Sequence, residues 1–195
     1  MPFIQHPFTR NTDLEAMIAL ARTFPDDHLR VIDLPYRLSS WALDDPANVA
    51  LWRDATGTLL GWAVLQTPFW TIDITCHPQA GESLYQQILA WADQRAREVL
   101  NNSFGRPCWF VTIFADQMEH NHSLTAAGFA SQADVGEDSW SKVWMRRPQQ
   151  APLRSYRLPD GFTIRPLAGE SEVQAYVDLH QSVFESKNMT LAWRS

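Results

Sequence analysis

Cysteine is scarce in this chain of 195 residues: only Cys76 and Cys108 occur. Two thiols build no disulfide framework, and this usage predicts a reducing compartment, the cytoplasm. Runs of Lys or Arg are missing, and the formal net charge is −6. That excludes the basic footprint of a nucleic-acid binder and the polybasic anchor of a membrane-surface protein. No stretch approaches the ~20 apolar residues of a membrane-spanning helix. The start, MPFIQHPFTRN, has neither the basic nor the apolar region of a secretion signal. The G-x-S-x-G, Walker and dinucleotide fingerprints are absent. No Cys, His and Asp cluster shows metal-ligand spacing, so no metal is expected. His120-x-His122 does not supply one, because helical residues two apart point to nearly opposite sides.

What is abundant is tryptophan, with nine. An indole buries a large area and still needs a partner for its N–H, so several should line a core or an interface. The set Trp62, Phe69, Trp70, Trp109, Phe110 and Trp144 is a candidate cleft lining, with core packing accounting for most of it. The length suffices for one full domain and part of another.

Apolar periodicity predicts a helix over 13–23, with Leu14, Met17, Ile18 and Ala21 on one face. Residues 24–48 are broken by prolines into a short helix and loops. Residues 49–55 and 59–66 read as a hairpin around Thr56-Gly57. A strand follows over 69–76, then the chain's best amphipathic helix over 82–100. Residues 108–115, CWFVTIFA, read as a strand buried on both faces. A short helix over 118–127 closes at Gly128. Further strands are expected at 129–132 and 140–146. A helix between strands joins parallel neighbours, so the order predicts a mixed α/β sheet. Residues 148–160, rich in Pro and Gln, read as a linker. A strand over 161–166 and a helix over 170–184 then begin something new, too little to bury a core alone.

The stretch TIDITCHPQAGESLYQQILAWADQRARE holds strand, turn and helix. Such a turn aims backbone N–H groups at whatever lies above it and can cradle a phosphate. Here it contains one glycine, Gly81, and no Arg or Lys. Glu82 suits the helix dipole but would repel a phosphate.

These pieces together resemble the GNAT N-acetyltransferase superfamily. LWRDATGTLLGWAVL resembles its second and third strands. ITCHP and LYQQILAWADQRA resemble the fourth strand, acetyl-CoA loop and third helix. CWFVTIFAD resembles the fifth strand, and LTAAGF the Gly-Phe after the fourth helix. The resemblance implies an acyl-CoA N-acyltransferase fold: a mixed, twisted sheet splayed between strands 4 and 5, with helices on both faces. It covers about residues 10–147, giving a domain at 1–147 and a linker at 148–160. DGFTIRPLAGESEVQAYVDLHQSVF resembles the opening of the same fold, so 161–195 is expected to start a second, incomplete domain.

The resemblance implies acyl transfer from acetyl-CoA to a small-molecule amine or a protein N-terminus. Backbone atoms of Ile74, Thr75 and Cys76 would hold the pantetheine arm. Gln79, Ala80, Gly81, Glu82 and Ser83 would face the pyrophosphate. The family's Gln/Arg-x-x-Gly-x-Gly/Ala loop is degenerate here: Cys76 takes the Gln/Arg position and Gln79 the first glycine. The tyrosine that reprotonates the thiolate has its place at Leu124, which has no proton to give. Asp73 is the remaining candidate base and Tyr85 the remaining acid. Each also fits a plain role, Asp73 as a hydrogen-bonded strand residue and Tyr85 as a half-buried helix residue. Cys76 beside His77 forms no nucleophile pair, because neighbours on a strand point to opposite faces.

Three functions follow. The first is an N-acetyltransferase with its chemistry mainly in the second domain. The second is a non-catalytic structural or substrate-binding module that has lost coenzyme A. The third is an active site here with an altered loop. The expected partners are the second domain of the same chain and, as an option, a second copy in a homodimer. Neither nucleic acid nor membrane is expected.

Overall fold

The computed structural model describes residues 3–25, 31–102, 108–135, 148, 150–152 and 155–184. Contacts divide the chain into two units, Met1–Ala130 and Ser131–Ser195. The division precedes the boundary at 147 read from composition. No helix among the described residues is long and apolar enough to cross a membrane. No disulfide joins Cys76 and Cys108.

The first unit is α/β, built on a four-stranded antiparallel sheet in the order β1-β2-β3-β4. The strands are β1 (Ile4–Pro7), β2 (Val49–Arg53), β3 (Leu59–Gln66) and β4 (Thr71–Cys76). β1 escaped the sequence reading because all four of its residues are exposed and show no alternation. β2 and β3 turn at Gly57, whose φ of 88° favours glycine.

Helices cover both faces. α1 (Arg10–Thr23) and α2 (Leu34–Leu38) lie on one. Phe8, Met17 and Leu20 there meet Leu51, Trp62 and Val64. The Trp62 indole N–H donates to the Met17 carbonyl at 3.0 Å, the partner that a buried tryptophan needs. α3 (Gly81–Val99) and α4 (Met118–Ala126) pack on the other face. Leu84, Ile88 and Leu124 there meet Ala63, Leu65 and Ile74. Gly61 in β3 sets the spacing. A Cβ on it would lie 2.9 Å from Leu84 Cδ2 and 3.3 Å from the Thr75 carbonyl.

α4 ends as expected at Gly128, with φ 91°. The Phe129 amide donates to Leu124 O and the Gly128 amide to Thr125 O, both at 3.0 Å. This is the paired closure of a glycine-terminated helix.

The expected fifth strand touches β4 through one parallel bridge, Thr71 to Phe110. The Phe110 amide donates to Trp70 O at 2.8 Å, and the Ile72 amide to Phe110 O at 2.9 Å. Among the described residues, no further backbone hydrogen bond joins β4 to 111–115. No strand is assigned at 129–132, a correction to the reading from sequence, and the hairpin at 140–146 lies outside the described residues.

In the second unit, a 3-10 turn at Gly169–Glu172 leads into α5 (Val173–Phe184). The strand expected over 161–166 is corrected too. No ladder forms there among the described residues, because no neighbouring strand pairs with it.

Candidate functional site

The edge of β4 is where sequence placed the acyl donor. Antiparallel pairing alternates main-chain groups toward and away from the partner strand. The Ile72 amide already points to Phe110, so Ile74 and Cys76, at even spacing, also turn their N–H and C=O outward. Thr75 pairs with Trp62 and turns its main chain inward to β3. Of the three residues expected to hold a pantetheine arm, register therefore turns the main chain of Ile74 and Cys76 to the side away from β3 and that of Thr75 toward β3.

The following turn closes on itself. His77 begins a 3-10 turn over Pro78–Ala80, and its Nδ1 accepts from the Gln79 amide at 3.1 Å. The Ala80 amide donates to the His77 carbonyl at 2.9 Å. Two amides expected to face a pyrophosphate thus have partners within the loop. Gly81 has φ 66° and ψ −174°, a region open mainly to glycine. No side chain caps α3. Glu82 lies in its first turn, its Oε1 accepting at 3.0 Å from both Gln86 Nε2 and Ser123 Oγ. A carboxylate is therefore tied to α4 close to the positive end of the helix dipole. Ser83 is exposed beside it.

Asp73 lies on the face covered by α1 and α2, as its pairing with Val64 requires. Its side chain is buried, 5% exposed. Oδ2 accepts from Gln66 Nε2 at 2.8 Å, and Oδ1 lies 3.5 Å from Arg37 Nη1. Burial pushes its pKa up to about 6, against the opposing pull of Arg37 and of the Gln66 and Thr71 hydrogen bonds. Arg37 Nη1 also donates to Thr71 Oγ1 at 2.9 Å, and its guanidinium lies 5.1 Å from the Phe69 ring centre. The other proton of the Gln66 amide goes to the Arg37 carbonyl. Gln66 Oε1, Thr67 Oγ1 and Thr75 Oγ1 are buried and meet no hydrogen-bond partner among the described residues.

Tyr85 lies on the other face of the sheet, within the α3 core. Its ring stacks on His120, with centres 4.4 Å apart. The structure does not bring Asp73 and Tyr85 together, so they cannot share one reacting atom as base and acid. Leu124 is buried in the same core as Tyr85. His120 packs against α3 while His122 is exposed. No group of three potential metal ligands forms among the described residues. The aromatic set also separates: Trp62 is in the α1 core, Trp109 packs on the α3 core, and Trp70 is exposed. Trp144 lies outside the described residues.

Sequence reasoning missed Arg37, which sits in an irregular proline-broken stretch with no pattern to mark it. Gln66 was detectable as a polar residue ending an otherwise apolar strand. A groove of about 830 Å³ was also missed. It runs between β1 and α3, lined by Phe3, Pro7, Trp52, Trp91 and Arg95, at the opposite edge of the sheet from β4. Trp52 and Trp91 meet edge to face there, 5.9 Å between ring centres.

No protein-family model matches this chain, and neither does any curated protein.

Proposed function

We propose that the first unit is a GNAT-like domain that has lost its coenzyme A seat. It serves as the non-catalytic partner within an N-acetyltransferase. Acyl transfer from acetyl-CoA to an amine then belongs mainly to a second domain starting near residue 161. The fold-level support is the antiparallel meander, the helix after β4 and the single parallel bridge from Thr71 to Phe110.

The observation that carries the loss is the loop. The Gln79 and Ala80 amides turn back onto His77, and the Glu82 carboxylate is held beside the helix start. A diphosphate there would meet spent donors and a like charge. Calorimetry of this chain with acetyl-CoA tests the reading. No saturable heat is expected up to millimolar nucleotide, and micromolar binding overturns it.

A catalytic reading of the first unit has one cluster in its favour. Burial pushes the Asp73 carboxyl up to about 6, and the Oε1 of its partner Gln66 is buried with no hydrogen-bond partner among the described residues. Release of thiol from acetyl-CoA across an amine panel, abolished by Asp73→Asn, would establish it. We rank it second, since both Asp73 oxygens already face donors.

A further inference from the structure

We propose that the outer edge of β1 is a pairing surface for a second copy of this chain. The two β1 strands run antiparallel about a twofold axis at Ile4 and join the two sheets into one. The inference goes beyond the proposed function and does not rest on coenzyme A.

Pro7 fixes which groups face outward. A narrow antiparallel pair exchanges two N–H···O bonds, and proline has no N–H to give. Pro7 is nevertheless in register with Ala50, so theirs is a wide pair with no bond between its members. Wide and narrow pairs alternate along a ladder. Ile4 and His6 therefore bond inward to Arg53 and Leu51, and Gln5 turns its N–H and C=O away from β2. Phe3, two residues earlier, turns the same way. No strand stands on that side among the described residues. Such an edge templates pairing with another chain unless charges guard it. From Phe3 to Pro7 there is no Lys, Arg, Asp or Glu.

The same alternation selects the partner and the register. Outward groups bond only to outward groups, and an antiparallel copy of β1 presents them at the same spacing. Gln5 against the partner's Gln5 would set Phe3 opposite the partner's Pro7, which has no donor. Phe3 against the partner's Phe3 would set Gln5 opposite residue 1, beyond the described strand. Phe3 against the partner's Gln5 uses the outward N–H and C=O of both residues, and does so on each side of the axis. Ile4 then meets the partner's Ile4 in a wide pair, where side chains approach most closely. The Ile4 side chain is 49% exposed in the single chain, and this pairing covers it with another β-branched residue. On the other face Phe3 packs on the α3 core, beside the groove between β1 and α3. That groove keeps α3 clear of the incoming strand.

Two experiments test it. In sedimentation equilibrium the mass of the 195-residue chain should rise with concentration from that of one copy to that of two. Gln5→Pro deletes an outward donor and spares the β1–β2 ladder, and Ile4→Lys sets two ammonium groups against each other at the axis. Both variants should stay at the mass of one copy and keep the parental far-ultraviolet circular dichroism. A mass independent of concentration in the parent overturns the proposal, as does a dimer that survives either variant. The axis is tested with cysteines on a Cys108→Ser background. Two residues at position 4 have Cα atoms about 4.5 Å apart across a wide pair, within disulfide reach. At position 6 they are about 14 Å apart, beyond it. Mild oxidation should link Ile4→Cys chains in pairs and leave His6→Cys chains at least ~10-fold less linked. Equal linking at the two positions, or none at position 4, overturns the proposal.

Discussion

At the scale of the residue, Asp73 shows how burial and pairing compete. Burial raises its pKa to about 6 from an ordinary 3.8, despite the guanidinium of Arg37 nearby. The folded state then holds this proton more tightly than the unfolded chain does. Its stabilising contribution is complete below the unfolded pKa and is lost as pH rises through the folded one. A shift of this size corresponds to at most about 3 kcal/mol. Urea melts from about pH 4 to pH 7 should show falling stability from this group, and Asp73→Asn should flatten that slope. An unaltered slope would assign the pH dependence elsewhere. Arg37→Met removes the opposing charge, so the Asp73 carboxyl should titrate higher still, as read by carbon NMR of the labelled side chain. Trp62 is the second test case. Trp62→Phe removes the bond to the Met17 carbonyl and leaves a void, costing ~2–3 kcal/mol in chemical denaturation.

At the scale of the element, close approach and handedness decide. Gly61 lets α3 lie against β3, and Gly61→Ala should cost ~1–3 kcal/mol because Leu84, itself fully buried, must move. Gly61→Val should be worse. A substitution without effect in a thermal melt would show that Leu84 gives way without cost. Gly128→Ala should cost about 1 kcal/mol for a different reason, since its left-handed φ strains a Cβ while nothing crowds it. The long elements were legible in sequence. The 59–66 strand and the 82–100 helix appear within a residue of their expected ends, because continuous apolar runs and 3.6-residue stripes persist over many positions. β1 and the segment at 161–166 were misread in opposite directions. A strand exists through its partner, and neither the presence of β2 beside Ile4–Pro7 nor the lack of a paired strand at 161–166 among the described residues is written locally.

At the scale of the whole molecule, the groove and the β4 edge lie at opposite ends of one sheet. The groove is thus not the place where the resemblance puts a coenzyme. Binding of acetyl-CoA to the folded chain would add ~2.7 kcal/mol at a hundredfold its Kd. We expect its thermal midpoint to stay unchanged with the nucleotide present, and a rise of several degrees would contradict the loss of the seat.

Sequence alone determined the α/β composition, the hairpin at Gly57, the helix after β4 and the glycine that closes α4. Each rests on side-chain periodicity or on a conformation that a single residue type permits. Tertiary structure alone decided which face each residue serves and what it meets there. It set Asp73 against Arg37 and Gln66, and Tyr85 on the far side of the sheet. It turned the Gln79 and Ala80 amides inward. Those outcomes depend on contacts between residues distant in the chain, and local pattern carries no record of them.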